Sequence, residues 1–127
     1  MTAEGPKTTW RANGGVRDVR RARELVARGV GDQQETTRDA AVLLVDECVA
    51  NAVRHGGGRF ELTITRCMDM LRVEVADRAA SAPRRLDLGL ESESGRGLAI
   101  VDMLASRWGS HPIEPSGKVV WFELNLD

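Results

Sequence analysis

The sequence predicts an α+β fold, a two-layer sandwich in which helices cover one face of a mixed, mostly antiparallel sheet. Three observations carry that expectation. Apolar residues recur at helical spacing in three segments. In three others they alternate with polar residues at a period of two, and two of these strands are joined by a tight turn. The chain has 127 residues, 42% hydrophobic and 29% charged, the balance of one folded domain and too apolar for a disordered one. The order helix, helix, hairpin, long loop, helix, strand fits helices gathered on one side of an antiparallel sheet.

Residues 1–15 are polar and punctuated by Gly5, Pro6, Gly14 and Gly15. They read as a loose arm with room for a short strand around Trp10, and residues 16–127 form the single domain. Val16, Val19, Ala22, Val26 and Val30 then place a helix over 16–29, ended by Gly29 and Gly31. Its five arginines form a solvated face, on which Arg20 and Glu24 can pair at i,i+4. Thr36 or Thr37 can cap a second helix that runs to about Arg54 and is stopped by Gly56, Gly57 and Gly58.

Phe60, Leu62 and Ile64 alternate with polar residues, as do Leu71, Val73 and Val75, and Met68-Asp69 turns one run into the other. Asp77 lies just past the second strand. Residues 78–94 show no sustained period and hold Pro83 and Gly89, a long loop of the kind that is usually functional or mobile. Leu98, Val101, Leu104, Ala105 and Trp108 resume helical spacing, ended by Gly109 and Pro112. A turn at Pro115-Ser116-Gly117-Lys118 leads to a last strand through Val120, Phe122, Leu124 and Leu126. Trp108 and Trp121 are expected as core aromatics at the ends of elements.

Composition excludes several classes of function. The net charge is −1, without the basic excess that generic nucleic-acid binding needs. The longest apolar run, Ala40 to Val45, is far short of the ~20 residues of a membrane span. The first residues lack the apolar stretch of a secretory signal, so the expectation is a cytoplasmic protein with no membrane partner. Cys48, Cys67 and His111 have no zinc-like spacing. Sixteen of the eighteen basic residues are arginine, the skew of a GC-rich genome.

Three constellations could carry chemistry. Glu47, Asn51 and His55 stand at i, i+4 and i+8 on the second helix and therefore share one face. That stripe either meets solvent or faces a ligand; a carboxylate and an amide oxygen suit a hard cation such as Mg²⁺. Asp46 points about 100° away and reads as a surface or partner contact. Gly95-Arg96-Gly97-Leu98 opens a helix, where free N–H groups and the absence of side chains let phosphate approach. Asp77 ends a strand, as a turn residue or as an acceptor for an adenine amino group.

In this order the motifs resemble those of the GHKL (Bergerat-fold) ATP-binding domains of histidine kinases and type II topoisomerases. "LLVDECVANAVRHG" is similar to their N box, "VEVADRAA" stands at the first G box, and "ESGRGLAIVDMLASRWG" is similar to the second. The terminal "GKVVWFEL" resembles the closing strand of the small anti-sigma-factor serine kinases, and the likeness covers about residues 16–126. The resemblance implies that Glu47 is the general base or holds a metal-bound water, and that Asn51 binds Mg²⁺ on the ATP phosphates. It implies His55 near those phosphates, Asp77 on the adenine amino group and Ala79 beside the base. Gly95, Arg96, Gly97 and Leu98 would shape the phosphate end, under a lid formed by residues 78–94.

One departure matters. The family's first G box reads Asp-x-Gly-x-Gly, and here it is Asp77-Arg78-Ala79-Ala80-Ser81, without glycine. Two functions follow from the resemblance. One is an anti-sigma-factor serine/threonine kinase that uses ATP and Mg²⁺, binds a sigma factor and phosphorylates a STAS-type anti-anti-sigma antagonist. The other is a non-catalytic partner-switching regulator with weak or absent ATP binding. A second copy of the chain is a further candidate partner. A detached histidine-kinase ATPase domain fits less well, because neither His55 nor His111 lies in a helical dimerisation segment.

Overall fold

The computed structural model describes residues 7–15, 17–31, 35–56, 59–77, 104–114 and 116–126, with backbone alone at 54–56. Five strands and two helices follow in the order β1 (Lys7–Ala12), α1 (Asp18–Val30), α2 (Glu35–Gly56), β2 (Phe60–Cys67), β3 (Met70–Asp77), β4 (Arg107–Pro112) and β5 (Lys118–Asn125). The strands form one sheet in the order β1-β2-β3-β5-β4. Every neighbouring pair among the described strands is antiparallel, so this part of the sheet is not mixed.

The period of two in the sequence becomes an inner and an outer face. Leu62, Ile64, Leu71, Val73, Val75, Val120, Phe122 and Leu124 are buried on the inner face. Both helices pack there, α1 on β2 and β3, and α2 on β2, β3 and β5. Ala22, Val26 and Val30 of α1 and Ala41, Leu44, Val45, Cys48, Val49 and Ala52 of α2 complete the core. Burying a Leu, Val or Phe side chain contributes roughly 1.5–3 kcal/mol, which makes this layer the main source of stability.

Local chemistry sets the joints. A Cβ at Gly29 would lie 3.0 Å from Ile64 Cγ2 and 3.1 Å from Leu71 Cδ1, so glycine lets the end of α1 approach the sheet. Arg66 reaches across from β2 and donates to the carbonyls of Gly29 and Val30 at 2.9 and 3.3 Å, placing a cation at the helix C-terminus. The arginines of α1 are exposed, as expected of a solvated face, although Glu24 pairs with Arg21 at i,i+3 rather than with Arg20. Thr36 and Thr37 lie within α2, which starts at Glu35, rather than capping it. The hairpin turns at Met68, whose φ is 48°.

Three expectations are corrected. The short strand allowed around Trp10 forms, so Lys7–Ala12 is not loose: β1 pairs with β2 along its whole length, and Trp10 packs edge-on against Phe60. The helical spacing through Trp108 does not persist. Leu104 is helical, but Arg107–Pro112 is a strand, because β5 offers it a ladder and places Trp108 opposite Phe122 on the inner face. Trp121 is not a core residue. It lies on the outer face beneath the guanidinium of Arg72, 4.3 Å from the ring centroid, and its indole covers Gly109, where a Cβ would meet the ring at 3.0 Å.

Candidate functional site

The 22-residue helix α2 carries the polar stripe. Asn51 is 1% exposed, and both its side-chain Oδ1 and Nδ2 are buried without a hydrogen-bond partner among the described residues. An orphaned buried amide costs about 1–3 kcal/mol, and native folds seldom carry one without a reason. Glu47, one turn earlier, is half-buried. His55 falls in the last turn of α2; its side chain lies outside the described residues. Asp46 makes a surface contact: its Oδ1 accepts a hydrogen bond from Arg23 Nε at 2.7 Å and ties α1 to α2. Cys48, beside Glu47, has its thiol pushed up to about 12, first by burial and then by the Glu47 carboxylate. It is therefore a protonated core residue and no nucleophile.

Asp77 is the last residue of β3 and stands on the inner face, 3% exposed. Its register partner is Lys118, the first residue of β5. Lys118 Nζ donates to Asp77 Oδ2 at 3.0 Å, and the lysine is itself only 6% exposed. The next pair inward on this face, Val75 and Val120, is apolar and buried. Sequence reasoning missed Lys118. Two signals pointed to it. It is one of only two lysines among sixteen arginines, and the period of two through Val120, Phe122 and Leu124 puts it on the core face. The turn before it needs its glycine, since Gly117 has φ 112°.

The structure therefore brings Asn51 of α2 and the Asp77–Lys118 pair into one helix–sheet layer. Ala79, Gly95, Arg96, Gly97 and Leu98, with the lid assigned to residues 78–94, lie outside the described residues. No cluster of three or more His, Cys, Asp or Glu side chains among the described residues can hold a metal ion. A cation at Asn51 would be held by that amide oxygen together with phosphate oxygens and water, the manner in which Mg²⁺ is usually bound. Two open clefts of about 400 and 490 Å³ lie elsewhere, one lined by Glu61, Glu74 and His111, the other by Arg11, Arg59 and Phe60. Neither includes Glu47, Asn51 or Asp77. No helix among the described residues is long and apolar enough to cross a membrane.

Residues 10–124, most of the chain, match the family model of the histidine kinase-like ATPase domain. No curated protein matches the chain.

Proposed function

The chain belongs to the histidine kinase-like ATPase domain family, and from that premise we propose that it is an anti-sigma-factor serine/threonine kinase dependent on Mg²⁺ and ATP. It binds a sigma factor and phosphorylates a STAS-type anti-anti-sigma antagonist in the cytoplasm. The observation that carries this reading is Asn51, a buried amide with neither polar atom partnered among the described residues. Its oxygen is the ligand that a hard cation on a triphosphate would take. Mg²⁺, when bound, neutralises phosphate charge as it builds during transfer. Glu47, half-buried one turn away, accepts the proton of the attacking hydroxyl or holds a water beside the cation. The family resemblance assigns His55 to the phosphates, and Asp77 accepts from the adenine amino group. The same resemblance assigns Ala79 to the base and Gly95, Arg96, Gly97 and Leu98 to the phosphates.

One observation favours the second reading, a partner-switching regulator without catalysis. The run Asp77-Arg78-Ala79-Ala80-Ser81 lacks the glycines that let a backbone approach a base closely. A phosphorylation assay with the STAS antagonists of the same genome separates the two. The parent should transfer phosphate, and Glu47→Ala should lose about 10²–10⁴ in rate while still binding the sigma factor. Equal transfer by parent and variant would remove Glu47 from the chemistry. No transfer by the parent, with sigma-factor binding intact, would establish the switch.

A further inference from the structure

We propose that Lys118 is a second base-reading residue, which donates a hydrogen bond to the ring N1 of adenine while Asp77 accepts from the neighbouring exocyclic amino group. The inference rests on the nucleotide-binding reading above and names how the base is told apart. Its ground is the pair itself. Asp77 and Lys118 are cross-strand partners at the ends of β3 and β5, joined at 3.0 Å, with side chains only 4% and 7% exposed. A buried ion pair is no efficient source of stability, since an apolar pair of similar volume does as well or better. The adjacent apolar pair Val75–Val120 shows that this ladder accepts such residues.

The pair's chemistry fits a particular edge. An ammonium has three donors and no acceptor, and Asp77 Oδ2 takes one of the three. A carboxylate and an ammonium side by side present an acceptor next to a donor. Adenine presents the complement, an amino donor next to the ring N1 acceptor. The neighbouring Val75 and Val120 are apolar and buried, so no competing polar group lies beside the pair on this face of the two strands. Asn51, on the helix that packs on β3 and β5, is left for the phosphate end of the same ligand.

The test is a calorimetric titration of the full chain with Mg·ADP and with its 1-deaza analogue, in which a C–H replaces ring N1. The parent should bind ADP about tenfold to a hundredfold more tightly than the analogue, the worth of a hydrogen bond from a charged donor. Lys118→Met should bind ADP as weakly as the parent binds the analogue, and should no longer distinguish the two ligands. Coupling of this kind between one side chain and one ligand atom does not arise from a merely structural role. If Lys118→Met does not fold, the charge-neutral double variant Asp77→Asn/Lys118→Met carries the same comparison. A parent that binds both ligands alike, or a variant that keeps the parent's preference, overturns the role of Lys118 and leaves nucleotide binding standing. A parent that binds neither ligand overturns the nucleotide reading and this inference together.

Discussion

The β3–β5 ladder carries two cross-strand ion pairs on opposite faces, and they are built differently. On the outer face Arg72 meets Glu123 at 2.8 Å, and Glu123 also accepts from Arg107 at 3.0 Å. Arg72 stacks on Trp121 and touches Glu74. The glutamate is buried, but Arg72 and Arg107 are 29% and 69% exposed, so the cations stay partly hydrated. On the inner face Asp77 and Lys118 are both buried, in a layer whose other members on these strands are Leu71, Val73, Val75, Val120, Phe122 and Leu124. The outer network is a fastening in which charge is shared and solvated. The inner pair concentrates two charges at the strand ends, in the layer that also holds the orphaned Asn51. Two costly burials in one layer are what the proposed binding site requires, whereas the shared outer network needs no ligand to account for it.

The largest test of this contrast is to break each pair. Lys118→Met removes the buried cation paired with Asp77 and should cost about 3–5 kcal/mol in urea unfolding. Adding Asp77→Asn should recover most of that loss. A loss below about 1 kcal/mol for Lys118→Met would show that the inner pair is as solvated as the outer one.

The second test concerns Asn51. Asn51→Leu fills the same space without orphaned polar atoms, so the nucleotide-free protein should gain about 1–3 kcal/mol. The same variant should lose the stabilisation that Mg·ADP gives the parent in a thermal melt. Unchanged stability without nucleotide would mean that the amide is satisfied by water, and would weaken the contrast between the faces.

Smaller effects are expected outside. Arg72→Ala removes the stacked cation and one of the two partners of Glu123, at about 1–2 kcal/mol. Arg107→Ala, from a mostly exposed position, should cost about 0.5 kcal/mol or less and become undetectable in high salt. An Arg107→Ala loss equal to that of Arg72→Ala would place the weight of the network on its exposed arm.

The smallest effect at neutral pH belongs to Cys48. Its thiol keeps its proton in the fold up to about pH 12, against an ordinary value of 9.0. The folded state therefore holds the proton more tightly than the unfolded one, and the associated stability is present below pH 9 and lost as pH rises toward 12. Iodoacetamide at pH 8 should label the half-buried Cys67 and spare Cys48 until denaturant is added, as peptide mass mapping would show.

The sequence by itself determined the elements whose signal is local. The period of 3.6 in α1, the period of two in β2, β3 and β5, and the turn at Met68-Asp69 each follow from neighbouring residues. The Glu47, Asn51 and His55 stripe followed from helix spacing alone, and the family followed from the order of motifs around it. Tertiary structure alone decided β4 and the extent of β1. The segment Arg107–Pro112 carries Gly109 and Pro112 and no alternation, and the spacing that ends at Trp108 argues for helix. It becomes a strand because β5 supplies hydrogen bonds and a seat opposite Phe122. Around Trp10 the sequence left room for a short strand, and pairing with β2 fixes it over Lys7–Ala12. The partner of Asp77 was likewise hidden, since Lys118 lies 41 residues away in the chain. Strand pairing and buried ion pairs join residues distant in sequence, so their free energy enters only when the sheet closes.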